Sequence, residues 1–287
     1  MATRPHPLVP LRLFRIRQFA TVNLSTLLIY GALYTNFQFQ SLFLQGTLGY
    51  SPLGSAIVGL PSGILLTLLS ARVGTLAGRI GVRPFMVGGP LAMAVGFLWW
   101  LRVPPTSTGW AASISDTSTL VPPADVFIDP LPATILFGIG ISLLVAPLTT
   151  ALMGSVPVRN AGIASAINNA LSRVGQPLIG AAVFIVVSGS FYATIAAAVP
   201  GTDPSSPELR AQYEAFHPPP EDAPPELAAA AKAASTDAFH LAAIVGAGLM
   251  VAGAVVNAVG LREGQRAARD AAPGSGTETS TAGAPGG

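Results

Sequence analysis

The chain has 287 residues, of which 51% are apolar and only 10% charged, with a mean hydropathy of +0.57; soluble domains carry about 25% charged residues, which excludes an ordinary soluble fold. Fourteen arginines and one lysine set the pI near 9.3, but they fall between apolar segments, where membrane topology accounts for them without a nucleic-acid surface. The absence of cysteine excludes disulfides, cysteine-ligated metals and thiol nucleophiles.

Residues 1–17 hold four arginines and three prolines without a short apolar core and small-residue cleavage site, so they are expected to form a basic cytoplasmic leader, with Leu11 to Arg17 as a short interfacial helix. Gln18 to Ala71 is a stretch of 54 uncharged residues, too long for one span of roughly 20 and right for two. Gly46, Gly49 and Pro52 mark the turn between them. Arg72, Arg79 and Arg83 then crowd a short connection before a third span that ends in Trp99 and Trp100, whose rings suit the interface. Arg102 follows as a snorkelling anchor.

Residues 103–130 combine proline pairs with Asp116, Asp125 and Asp129 and read as an external loop. A fourth span carries Pro147, a basic turn holds Arg159, and a helix restarting near Ala161 runs through Arg173 into the fifth span. A second external loop, Val199 to Asp237, has six acids before Asp237, and its last part has helix-forming composition. The sixth span ends near Leu261, and residues 263–287, rich in Gly, Ser, Thr and Pro toward the end, are expected to be a disordered cytoplasmic tail. The predicted spans are 18–45, 52–71, 84–102, 131–156, 174–198 and 238–261, together a six-helix membrane bundle over 18–262. With both termini inside, twelve of fifteen basic residues lie on the cytoplasmic side and ten of thirteen acids outside, as the positive-inside bias requires.

In the first span Tyr30, Tyr34 and Gln38 recur every four residues, with Asn23 and Thr26 continuing the stripe inward. A polar and aromatic face on a buried membrane helix either lines a water-filled cavity or joins helices. Phe37 and Phe39 offer rings either to a flat apolar cation or to packing. In the fifth helix Gly162, Ala166, Asn169, Arg173, Gln176 and Gly180 share one face, small enough for close helix approach. Asn168, Asn169 and Arg173 are either structural residues near the cytoplasmic entrance or gating and substrate residues. Asp237 and His240 form an interfacial cap or share a proton.

No acid and no lysine falls within the predicted spans, and the only histidine there is His240 at an outer end. Proton-driven carriers place ionisable groups in the membrane, so this chain by itself lacks the usual coupling device. No nucleophile with a base and no metal constellation is present either. No catalytic residue, metal or cofactor is therefore expected, and an enzyme is not.

The basic turn Gly74-x-Leu76-Ala77-Gly78-Arg79-x-Gly81-x-Arg83 resembles the signature loop of the major facilitator superfamily, G-x-L-a-D-R-x-G-r-R/K, with Gly78 where the family often has an acid. A plain topogenic turn is the competing reading. Pro147 to Thr150, followed by Val156-Pro157-x-Arg159-Asn-Ala161-Gly162 through Asn168-Asn169 to Arg173-x-Gly175, resembles the late-helix signature of fourteen-span drug and proton antiporters of the EmrB/QacA type. Leu44 to Pro61 is similar to the start of their second half. The resemblance implies the C-terminal half of such an antiporter: an all-α multi-pass protein of the cell membrane, one six-helix bundle with both termini inside. By alternating access it would move a lipophilic small molecule through a cavity lined by Asn23, Thr26, Tyr30, Tyr34 and Gln38. It also implies a partner, either a first-half polypeptide or a second copy, since one bundle cannot rock alone. The alternative is a membrane interaction module or remnant that transports nothing.

Overall fold

The computed structural model describes residues 11–270, with side chains described through Leu261. A 3-10 turn, Leu11–Arg15, leads into α1 (Arg17–Leu42), which ends in a π turn, Phe43–Thr47. Then follow α2 (Pro52–Ile80), α3 (Arg83–Trp99) with a closing 3-10 turn to Arg102, the short α4 (Ala124–Ile128), α5 (Pro130–Met153), α6 (Ala161–Ala198), the short α7 (Pro207–Gln212) and α8 (Pro225–Asp270). No strand occurs among the described residues. The protein is an all-α membrane protein, as its composition requires: helices satisfy their own backbone groups in lipid.

Among the described residues, five helices are long and apolar enough to cross a membrane: α2, α3 with its closing turn, α5, α6 with the turn before it, and α8 to Leu261. The sixth expected span, α1, has the length at 26 residues. Its hydropathy falls short of the other five because it carries Asn23, Thr26, Asn36, Gln38 and Gln40. Most of these polar groups face protein: α1 lies between α6 and α8, α8 also packs on α3, and α5 fills the space between α3 and α2. Half of the apolar windows of α3 and α5 is buried, against 22% for α6 and 11% for α2, so α2 and α6 present the largest free surfaces.

The α1–α8 contact runs on glycines seven residues apart. A Cβ at Gly246, Gly253 or Gly260 would meet Asn36 and Phe97, Ile29, or Thr21 at 3.1 Å or less. Small residues let membrane helices approach this closely, where dispersion and not hydrophobicity drives association.

The chain sorts its charges by end. One apolar cluster unites Leu13, Val82, Leu152, Val156 and Leu261; it gathers the segments that carry Arg12, Arg15, Arg83 and Arg159. At the other end Leu48, Tyr50, Val103, Trp110, Tyr213 and Phe216 share a cluster around Phe43 and Phe239, whose rings stack 4.2 Å apart. The connections meeting there carry Asp116, Asp125, Asp129, Asp203 and Glu208.

Three boundaries differ from the sequence expectation. α2 stays helical to Ile80, although the second span was expected to end at Ala71 and Arg72 to Arg83 to form a connection. α8 starts at Pro225, extending the last span outward over the helix-forming stretch before Ala238, and it stays helical to Asp270, past the point where a disordered tail was expected to begin. Alanine, arginine and glutamine between 264 and 270 are good helix formers, so an established helix propagates through them. The expectations for residues 1–10 and 271–287 lie outside the described residues.

Candidate functional site

α1 can serve as a central helix because nothing interrupts it: it holds neither proline nor charge after Arg17. Its buried polar residues are satisfied locally where they can be. Asn23 donates to the Phe19 carbonyl at 2.8 Å and Thr26 to the Val22 carbonyl at 2.8 Å. Both side chains are 1% exposed, so they line a helix interface and no open cavity. Facing them from α6, the Asn168 amide donates to Thr26 Oγ1 at 2.8 Å and to Asn23 Oδ1 at 3.3 Å. Two turns further along α6, Gly175 crosses Gly31 of α1, where a Cβ on Gly175 would lie 2.9 Å from the Leu27 carbonyl oxygen.

The face of α6 that packs is therefore Ala164, Asn168, Ser172, Gly175, Ile179 and Val183, not the predicted one. Gly162, Ala166, Asn169 and Arg173 are exposed, while Gln176 and Gly180 are half-buried. This corrects the sequence reading. Two small-residue faces coexist on the helix, offset by about a third of a turn, and spacing alone does not say which one meets α1.

The outer part of the α1 stripe stays free. Tyr30 is half-buried, Tyr34 and Gln38 are exposed, and the two tyrosine rings lie 6.0 Å apart. Gln38 shares a groove of about 440 Å³ with Thr35, Gln176, Pro177, Gly180 and Phe184. Gln38 on α1 and Gln176 on α6 thus line one groove, and Tyr34 on α1 and Asn169 and Arg173 on α6 are exposed on the same two helices. Phe37 is 39% exposed and meets Phe137 edge-on at 4.8 Å, while Phe39 is buried against Phe216 at 5.5 Å. Only Phe37 keeps a free face.

Below the polar surface, Asn36 is 2% exposed, and neither its amide nitrogen nor its oxygen has a partner; Thr35 Oγ1 has none either. Sequence reasoning missed this pair. The signal available was an Asn that falls off the Tyr30, Tyr34, Gln38 face and onto the α8 side.

A larger groove, about 880 Å³, runs between the outer half of α1 and α2. Phe37, Gln40 and Gln45 form one wall, and Ser55, Leu60, Ile64 and Leu68 the other.

The basic turn divides into working and free parts. Gly81 adopts φ +93°, a left-handed conformation that a side chain would strain, and closes α2. Arg83 donates from Nε and Nη2 to the Ala258 carbonyl at 3.2 and 3.1 Å, tying the start of α3 to α8. Arg79 is exposed, Gly74 is in ordinary contact with Ala146, and a Cβ at Gly78 would meet nothing within 4 Å. The glycine that replaces the family's acid is not sterically required.

At the opposite end His240 Nε2 pairs with the Val103 carbonyl at 3.1 Å and Arg102 lies 4.7 Å over the Trp99 ring. Asp129 accepts from Ser107 at 2.6 Å and Asp125 from the Thr108 amide at 2.9 Å. Tyr50 is buried there without a partner for its hydroxyl, and burial, then Asp129 and Asp125, push its phenol up to about 12. Among the described residues no cluster of three or more acids, histidines or cysteines could hold a metal.

These features define a multi-pass helical membrane protein with polar side chains exposed on two adjacent helices, α1 and α6. A sequence profile of the Major Facilitator Superfamily matches residues 2–181, and the chain belongs to that superfamily. It is 28% identical over 190 residues to the multidrug resistance protein Stp of Mycobacterium tuberculosis, covering 66% of this chain and 32% of that protein. It is 31% identical over 161 residues to the puromycin resistance protein pur8 of Streptomyces alboniger, covering 56% and 29%. Against the cephamycin export protein CmcT of Amycolatopsis lactamdurans, identity is 27% over 208 residues, covering 72% and 37%. The chain spans about a third of the length of these relatives.

Proposed function

We propose that the chain is the second six-helix bundle of a drug or small-solute efflux carrier, working by alternating access against a first bundle. α1 counts as a full span in this reading, the basic end faces the cytoplasm, and the membrane is the cell membrane. The observation that carries the proposal is the polar groove where Gln38 of α1 meets Gln176 of α6, with Tyr34, Asn169 and Arg173 exposed on the same two helices. A guanidinium facing hydrocarbon is costly, up to about 2.5 to 3.5 kcal/mol at the bilayer centre and less toward the interface. Such a surface belongs against water or another protein, which is where an inter-bundle cavity lies in a carrier that rocks around a midplane site. The names of the relatives, which speak of drug resistance and antibiotic export, support efflux as the direction.

Proton coupling then falls to carboxylates of the first bundle, since residues 238–261 and the other predicted spans contain none and Glu226 and Asp237 of α8 lie at its outer end. The experiment is co-expression of a first bundle from a related carrier in an efflux-deficient strain, scored by resistance to a panel of lipophilic toxic compounds. Resistance above either bundle alone is the expected result, lost in Arg173→Ala and Gln38→Ala. Equal resistance with and without the first bundle would overturn the carrier reading, and a stable dimer of the chain without transport would favour an interaction module.

A further inference from the structure

The 3-10 turn Leu11–Arg15 lies outside the spans and outside the polar groove of α1 and α6. A 3-10 helix has three residues per turn, so side chains three apart eclipse one another. Five residues therefore give three edges: Leu11 with Phe14, Arg12 with Arg15, and Leu13 by itself.

The three edges have different surroundings. Leu13 is 3% exposed and packs with Val82, Leu152 and Leu261, where α3 begins and α5 and the last span end. The apolar edge is open: Leu11 is 65% exposed, and Phe14, edge-on to Phe19 at 5.3 Å, is exposed as well. Arg12 and Arg15 are exposed too, and neither has an ion-pair or hydrogen-bond partner among the described residues. Every acid of residues 11–261 lies in the two outer connections or at the outer start of α8. A second turn at the basic end, Val158–Asn160, repeats the pairing, with Val158 92% exposed next to an exposed Arg159.

An exposed apolar edge alongside an exposed cationic edge is the pattern of a segment that lies in the membrane interface. Its height is fixed, because Leu13 pins the turn at the level where the spans end. We propose that the Leu11–Arg15 turn binds an anionic phospholipid, with Arg12 and Arg15 on the headgroup phosphate and Leu11 and Phe14 against the upper acyl chain. The two arginines lie about 6 Å apart along the axis at 2.0 Å per residue, so both reach one headgroup. Guanidinium binds phosphate through two parallel hydrogen bonds. Phosphatidylcholine offers the same phosphate with a compensating ammonium, so net charge selects the lipid. A soluble acidic partner would also match the arginines, but the spans already place the bilayer within reach of Leu11 and Phe14. Each arginine near an anionic surface is worth about fivefold in affinity.

The chain has no cysteine, so a bimane on Leu11→Cys reports without background. The full chain is reconstituted in phosphatidylcholine bilayers that contain phosphatidylglycerol or phosphatidylcholine brominated near the carboxyl end of the acyl chains. Quenching then gives the relative association constant of the two lipids. Phosphatidylglycerol should be preferred at least fivefold at low ionic strength, and high salt should abolish the preference by screening exposed charges. The double variant Arg12→Gln/Arg15→Gln should remove it, and Arg102→Gln at the outer end should leave it unchanged. A bimane on Ser113→Cys in the outer loop should report no preference, and excess glycerol phosphate in solution should not relieve the quenching at Leu11→Cys. Equal quenching by the two lipids, a preference that survives salt or the double variant, or one that is equally strong at Ser113→Cys would overturn the proposal. Relief by glycerol phosphate would overturn it in favour of a soluble anion, and no quenching by either lipid in favour of a protein partner. Lipid binding is read without transport, so absence of efflux with a first bundle rejects the carrier reading and leaves this assignment standing.

Discussion

Asn168 on α6 donates to Thr26 on α1 across 142 positions of sequence, at 2.8 Å, and the same amide reaches Asn23 at 3.3 Å. The two acceptors keep their own intrahelical bonds to Phe19 and Val22, so removing Asn168 leaves no orphaned donor behind. Asn168→Ala should therefore cost only about 1 kcal/mol, the usual worth of a hydrogen bond between membrane helices. Unfolding of the purified protein in mixed micelles by dodecyl sulfate checks this. A double-mutant cycle with Thr26→Val should show coupling of similar size, and simple additivity would mean that the contact contributes nothing.

The two faces of α6 should separate cleanly under substitution. Gly175→Val places side-chain atoms beyond a Cβ already 2.9 Å from the Leu27 carbonyl oxygen. Backbone cannot yield cheaply, and overpacking of this kind costs about 1 to 3 kcal/mol. Gly162→Ala meets nothing within 4 Å and should stabilise by about 0.5 to 1 kcal/mol, because alanine loses less backbone entropy in a helix. Thermal midpoints of the two variants test the assignment of the packed face, and a reversed order would refute it.

This pair also shows where sequence reading ran out. The spacing of Gly162, Ala166, Asn169 and Arg173 was legible, as was the amide-rich helix around it, because period and composition are local properties. Which of two small-residue faces meets α1 depends on the register of helices far apart in sequence, and only Gly31 against Gly175 fixes that. The helical class and the charge asymmetry between ends were readable for the same local reason, as lipid constrains every residue alike. Asn23 and Thr26 looked like cavity residues because polarity marks both cavities and helix contacts, and burial alone separates the two. The α1–α2 groove left no trace in the sequence, since a space between helices is set by what does not pack.

Arg83 and Arg79 belong to one motif and should behave differently. Arg83 donates two hydrogen bonds to the Ala258 carbonyl, and Arg83→Leu should lower stability by about 1.5 to 3 kcal/mol, as for hydrogen bonds made by a charged group. Arg79 is exposed, and Arg79→Leu should stay within about 0.5 kcal/mol. Thermal unfolding in detergent distinguishes them, and an equal loss would place a missing partner on Arg79.

Tyr50 gives the outer end an alkaline limit. Its phenol is pushed up to about 12 by burial, with Asp129 and Asp125 adding to the effect, whereas an unfolded chain titrates near 10. A raised pKa makes the tyrosine's contribution complete below pH 10; it falls as the unfolded state begins to lose its proton and is gone as pH passes through about 12. The slope between these limits is at most about 1.4 kcal/mol per pH unit. Stability followed from pH 8 to 12 should show this decline, flattened in Tyr50→Phe. A Tyr50→Phe variant with an unchanged profile would place the alkaline transition elsewhere.

Asn36 is the residue whose removal should help the bundle and, if the proposed carrier function holds, harm efflux. Both of its amide atoms are buried without partners, in a pocket closed by Gly246 of α8 and Phe97 of α3. An orphaned buried amide costs about 1 to 3 kcal/mol. Leucine has the same branching at the γ position and no polar atoms, so Asn36→Leu should raise stability by about 1 kcal/mol. On the proposed carrier reading, such an amide in the outer half of α1 is paired in a second arrangement, with α1 shifted against α8 or with water admitted through the adjoining groove at Thr35. Efflux in the two-bundle assay should accordingly fall in Asn36→Leu while the protein melts later, and Asn36→Asp should fall in both. Loss of stability in Asn36→Leu would show instead that the amide is satisfied in the resting state, and the second arrangement would then have no motive.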